Sequence, residues 1–284
     1  MKLVCPHESR LIDRLDRRDV CIRVDTPNDI AAAAAEVRRR NTLSCMICAA
    51  NVPLEEIEVA DDWQNIPIAL MVPSVGRFRN FAKKVGALRK SNLHIYLPGK
   101  TDNLIGVRVL ASLGIPVCIL IDTLPDWDAL TDLMTYALLG LVPHAPIEPF
   151  QTIANGYRQT SRGDDWGRVF FDDPSRYLHL DAEGRIALSQ PELQAGNFIA
   201  PDLSKLDSPE VKNAIEARSE AWRGLFAEDH FCARCKAWRL CRGRVRDGKT
   251  APDGCEAFFH EMAEVIEQRR NKPGSYRSTE KWQP

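Results

Sequence analysis

The chain has 284 residues, 44% apolar and 27% charged, with a formal net charge of −1. That composition is ordinary for a globular protein, and the balanced charge gives no bulk attraction for nucleic acid or an anionic membrane surface. The length admits one large domain or two, and no apolar run approaches the roughly 20 residues of a membrane span.

Met1-Lys2-Leu3-Val4-Cys5-Pro6-His7 leads straight into a charged stretch and does not read as a signal peptide, so a cytoplasmic protein is expected. Strands are predicted over 20–24, 43–49, 68–72, 93–97 and 117–121. Helices are predicted between them. Asp25-Thr26-Pro27-Asn28-Asp29 offers an N-cap for an Ala-rich helix over 30–39. A helix over 77–89 sets Phe78, Phe81, Val85 and Leu88 against a basic side. Helices over 103–112 and 127–139 follow, the first stopped by Leu113-Gly114-Ile115-Pro116. Strands alternating with helices at this spacing predict an α/β fold with a mostly parallel sheet, and about five strands suit a partial, open βα barrel.

The segment 143–150 carries Pro143, Pro146 and Pro149, so no regular element is expected there and a domain boundary is placed at 150. Beyond it, strand patterns over 176–180 and 185–188 flank a turn ending at Gly184, which predicts a β-hairpin. Helices over 208–226 and 256–269 enclose a cysteine cluster. The chain thus divides into 1–150 (α/β domain), 151–270 (hairpin plus cysteine-rich module) and 271–284, a polar, flexible tail.

Nine cysteines in a reducing compartment are not expected to form structural disulfides. Cys5, Cys21, Cys45, Cys48 and Cys118 are scattered, as small buried hydrophobes are. Cys232, Cys235, Cys241 and Cys255 are not: they arrive within 24 positions as C-x2-C-x5-C, a gap of thirteen, then C. The C-x2-C pair puts two thiolates on one tight turn, and two more complete four-fold coordination of a metal centre. Four thiolates suit zinc or an iron–sulfur cluster, and ligand chemistry alone leaves both open. Arg234, Lys236, Arg239, Arg242 and Arg244 stand nearby to offset the charge of four sulfurs.

Cys232-Ala-Arg-Cys235-Lys-Ala-Trp-Arg-Leu-Cys241-Arg-Gly243, closing with Gly254-Cys255-Glu-Ala-Phe258-Phe259, resembles the SPASM domain, the C-terminal extension of many peptide-modifying radical SAM enzymes. In that family seven cysteines hold two auxiliary clusters. This chain has Val245 where one further cysteine would fall and Ser189 at the Gly184-x4 position, and 168–174 supplies no leading cysteine. Every protein ligand of one cluster is missing together, while all four of the other remain. The resemblance therefore implies a single auxiliary 4Fe-4S cluster on Cys232, Cys235, Cys241 and Cys255, with Zn as the alternative.

A radical SAM centre needs C-x3-C-x2-C. Asn41-Thr-Leu-Ser-Cys45-Met-Ile-Cys48 keeps the last two cysteines with Asn41 in the first place, and a strand there would point Cys45 and Cys48 to opposite faces. Classical radical SAM activity is not expected; two packed strand cysteines, or a redox C-x2-C pair, are. The whole resembles a degenerate, or pseudo, radical SAM protein. This implies an accessory partner in peptide modification, met by a precursor peptide or a radical SAM maturase, and neither nucleic acid nor membrane. A redox or transferase enzyme using the cluster directly, and a structural zinc module, are the alternatives.

Other groups carry blander expectations. His144 with Glu148 is a boundary loop before it is an acid–base pair. Asp172-Asp173 is turn-forming before Pro174. His230 and His260 are expected as neighbours of the cluster or solvent-facing, and Trp166, Trp222 and Trp238 as packing. The basic run 242–249 is too short to read as a nucleic-acid site.

Overall fold

The computed structural model describes residues 1–121, 126–157, 166–244 and 253–271. Nine strands occur among them: β1 (Lys2–Pro6), β2 (Asp19–Val24), β3 (Thr42–Ala49), β4 (Ile68–Met71), β5 (Leu93–Pro98), β6 (Val117–Leu120), β7 (Ile147–Glu148), β8 (Tyr177–Leu180) and β9 (Ile186–Ala187). The class is α/β, as the alternation predicted, and no helix among the described residues is long and apolar enough to cross a membrane.

The chain forms two compact units, each discontinuous in sequence: 1–94 with 167–220, and 95–166 with 221–283. The break lies inside β5, so position 150 is interior to the second unit and the 176–188 hairpin belongs with the first.

In the first unit the strands run in the order β4-β3-β2-β1-β8-β9. Neighbours are parallel except β8 with β9, the expected hairpin. Its turn closes where Gly184 adopts φ +87°, a conformation a side chain would strain. Ile199 and Ala200 bond to Ile186 on β9, so the hairpin's outer strand is partly met by its own chain. The strand missed by pattern is β1. Leu3, Val4 and Cys5 are all buried, as a parallel strand covered on both faces requires, so there is no alternation to read. Its partners lie far along the chain, with Lys2 N donating to Arg176 O at 2.7 Å.

Helix Ile30–Val37 buries Ile30, Ala33, Ala34 and Val37, one stripe at helical spacing. The helix expected over 77–89 is broken: Phe78–Phe81 and Val85–Lys90 flank a 3-10 turn. Phe81 and Leu88 are buried but Phe78 is exposed, Gly86 weakens the second piece, and Lys84 reaches out to the Ile57 carbonyl at 2.7 Å. The helix expected over 208–226 also divides, into Pro209–Glu220 and Trp222–Ala227, at the border of the two units.

His94, on β5 in the first unit, is buried, and burial alone pushes its pKa down from 6.5 to about 3. The unfolded chain takes up that proton near pH 6.5 and the folded chain does not. Stability is therefore full above pH 6.5 and falls on acidification toward pH 3, by about 1.4 kcal/mol per pH unit. Comparing urea midpoints of wild type and His94→Gln between pH 7 and pH 4.5 checks this; the variant is expected to lose less stability over that interval.

In the second unit β5, β6 and β7 pair in parallel. β7 corrects the expectation of no regular element over 143–150. Two residues suffice for an end strand when the prolines fall outside the pair, as Pro146 and Pro149 do. Helix Trp127–Leu139 packs along helix Cys255–Asn271, the longest described. At the far end of that pair Arg269 donates to Gln151 Oε1 at 3.0 Å, and Gln151 donates to the Ala137 carbonyl at 2.9 Å. Both side chains are buried, so the link fixes the helix against its neighbours where apolar packing gives out.

Candidate metal centre

All four cysteines of the cluster lie in the second unit. Cys232 sits in the one-turn helix Phe231–Arg234, capped by His230, whose Nδ1 accepts from Cys232 N at 3.2 Å. Cys235 follows at its end; Trp238 N donates to its carbonyl at 3.2 Å, and the Ala237 and Trp238 amides stand on the side of its sulfur that favours the thiolate. Cys241 closes the next turn, Trp238–Cys241. Arg242 and Gly243 then both adopt positive φ, which reverses the chain. Trp238 packs edge-on to Phe226 at 5.1 Å beneath these turns.

Cys255 is the first residue of helix Cys255–Asn271. Gly254 before it has φ +86°, and a Cβ there would stand 2.6 Å from the Trp127 ring. Only glycine lets the chain enter the helix so close to that indole. The helix is then held by Phe258, which meets Trp127 at 5.2 Å and Phe150 at 6.4 Å, and by Phe259 at 6.4 Å from Trp127. The fourth sulfur is thus positioned by an aromatic cluster, whereas the other three ride on short turns.

Cys255 neighbours Cys241, and Cys235 and Cys232 lie near enough to act on it electrostatically. Cys255 shares a hydrogen bond with Cys241 and feels the charges of Cys241, Cys235 and Cys232; with burial, these drive its pKa up, the Cys241 bond contributing most. Burial also raises Cys235, against the two amides that favour its thiolate. Cys232 and Cys241 are buried, Cys235 and Cys255 partly so, and none of the nine cysteines is in a disulfide. Among the described residues no group of three or more His, Cys, Asp or Glu side chains is placed so that it could hold a metal ion. What is present is four soft donors in one unit, with Cys255 acted on by the other three, the donor chemistry of an iron–sulfur or zinc site.

The other expected residues have ordinary roles. Arg234 is engaged with Asp229, Nε to Oδ1 at 3.2 Å. His260 is exposed and pairs with Glu264 at 3.6 Å. Ser189, at a cysteine position of the SPASM pattern, caps the helix Gln190–Gln194. Val245, the rest of the basic run 245–249, the tail beyond 271 and the side chains of Trp166 and Trp222 lie outside the described residues. His144 donates from Nδ1 to the Ala145 carbonyl and stacks on Tyr136 at 4.8 Å, while the Glu148 carboxylate caps the next helix through Thr152 N at 2.9 Å. Asp173 accepts from Ser175 N at 3.0 Å, a turn contact.

Cys45 and Cys48 are both buried on β3 and face opposite ways: Cys45 is level with Cys21, Cys48 with Val24 and Leu70. Burial pushes the Cys48 thiol up to about 12 and raises the Cys45 thiol well above its ordinary value, so neither is a thiolate near neutral pH. Asn41 is a clamp at the start of the strand, its Oδ1 accepting from Arg18 N and its Nδ2 donating to the Ile12 carbonyl, each at 3.1 Å. No family model, curated protein or solved structure matches the chain.

Proposed function

We propose that the chain is a SPASM-like protein, akin to a degenerate radical SAM protein, that holds one auxiliary 4Fe-4S cluster on Cys232, Cys235, Cys241 and Cys255. What supports this reading is the spacing of the four cysteines, together with Cys255 lying beside Cys241 across a gap of thirteen residues in the sequence. When bound, such a cluster supplies one-electron redox chemistry, and four protein sulfurs would leave no iron open for substrate. The chain's own contributions are then to fix the sulfurs, to direct the Ala237 and Trp238 amides at Cys235, and to shield Cys232 and Cys241 from water.

The role that follows is that of an accessory in peptide modification, acting on a precursor peptide or beside a radical SAM maturase, without substrate radical chemistry of its own. The buried, opposed Cys45 and Cys48 support this by leaving no second thiolate pair to hold a reactive cluster. Replacing both with Ala is expected to leave iron per folded chain unchanged in protein purified without oxygen. A fall in iron would move the centre to β3 and overturn the reading. Zinc in place of iron in the wild-type chain would leave a structural module and remove the electron-transfer role.

A further inference from the structure

The first unit carries a second site, separate from the thiols and independent of what they bind. A cavity of about 670 Å³ opens at the carboxyl ends of β1, β2, β3, β4 and β8. Open parallel sheets receive ligands at that end, and the volume is that of a small-molecule pocket. Strand register sets its floor. Pro6 is level with Arg23, Arg23 with Ile47, and Val4 with His179, so Arg23 and His179 project from one face with only β1 between their strands.

Both side chains are incompletely used. Arg23 donates through Nη1 to Gln190 Oε1 and through Nη2 to the Leu180 carbonyl at 3.0 Å, but its Nε, shielded from solvent, has no partner. Among the described residues no carboxylate lies within ion-pair distance of this guanidinium, and burial disfavours its charge. A shielded cation whose nearest carboxylates, Asp25 and Asp181, act on it only from beyond ion-pair distance is incompletely compensated and favours an anion from outside. His179 is 3% exposed and its Nε2 donates to the Phe171 carbonyl at 2.8 Å. Burial keeps the ring neutral, which makes Nδ1 an acceptor. The Gln190 side chain neighbours the ring as a hydrogen-bonding group, but no partner stands at full hydrogen-bond distance from Nδ1, so a ligand donor arriving there competes with Gln190. The floor therefore asks for an acceptor with negative charge and, beside it, a donor. Glu8, Asp25, Asp29 and Asp181 on the lining oppose a multiply charged anion such as phosphate more than a single carboxylate.

We propose that this cavity binds a small carboxylate bearing a hydrogen-bond donor, a hydroxyl or an ammonium, on the adjacent carbon. The carboxylate meets Arg23 and the donor meets His179 Nδ1. The test is a titration of the full-length protein with L-lactate, L-alanine, propionate and phosphate, followed by the NMR signals of the His179 ring and by calorimetry. Lactate or alanine is expected to bind and shift the ring signals, with propionate, which lacks the donor, about tenfold weaker. Arg23→Gln, checked for folding by circular dichroism, is expected to lose binding altogether. No binding of lactate or alanine to the wild-type chain overturns the proposal, and needs no variant to interpret. Equal binding of propionate, tighter binding of phosphate, or binding that survives in folded Arg23→Gln overturns it as well.

Discussion

Cys241→Ala is expected to abolish the metal centre. Wild-type protein purified without oxygen should be brown, with a broad visible absorption band and about four irons per chain. The variant should be colourless, with iron close to zero. The size of the effect follows from position. Cys241 is 6% exposed, shares a hydrogen bond with Cys255, and lies at the turn from which the chain reverses. Water cannot readily replace a ligand buried there, and three thiolates leave one corner unheld. Metal analysis with a visible spectrum reads the result. A Cys241→Ala chain that keeps its iron and its band would eliminate the four-thiol site.

Phe258→Ala is expected to cost about 3–5 kcal/mol, the usual penalty for emptying a buried aromatic position. Phe258 is 2% exposed and touches Trp127, Phe150 and Phe259, so its removal leaves a space that three rings border. Denaturation by urea, followed by tryptophan fluorescence, measures the loss. The centre supplies a second readout, because the same rings seat the first turn of the Cys255 helix. Iron should leave Phe258→Ala faster on exposure to a chelator than it leaves the wild type. A loss below about 1 kcal/mol would mean that the neighbouring rings collapse into the space.

Much of the α/β framework could be read from local pattern, because helix stripes and hairpin turns are local properties. Ile30, Ala33, Ala34 and Val37 announce their helix, and Gly184 its turn. What escaped was decided by distant partners. Leu3, Val4 and Cys5 form a strand only because β2 and β8 enclose them, and three buried residues in a row carry no periodicity. Ile147–Glu148 pairs because β6 stands beside it, although prolines surround it. The break at Ala82–Lys84 accompanies a lysine bonding to carbonyls near position 57, which no window around residue 80 contains. For the proposed metal centre, the candidate donors stand out in the sequence by their spacing, since a short-range C-x2-C must make a tight turn. Their support does not: Trp127 and Phe150 lie more than a hundred residues upstream of Phe258. The Arg23–His179 floor was equally hidden, because register across β1 brings together two residues that no motif links.

The fourth cysteine starts a helix whose footing is Trp127, so the sulfur-bearing end of this chain cannot be detached as a cassette. A fragment cut at residue 150 would carry every thiol away yet forfeit the indole and the phenyl ring against which Phe258 is wedged. Grafted onto another scaffold, the 24 positions from Cys232 to Cys255 would bring candidate ligands without a lever to hold them at the right spacing. Cys255 thus takes its footing from a stretch of polypeptide that contains none of the four cysteines.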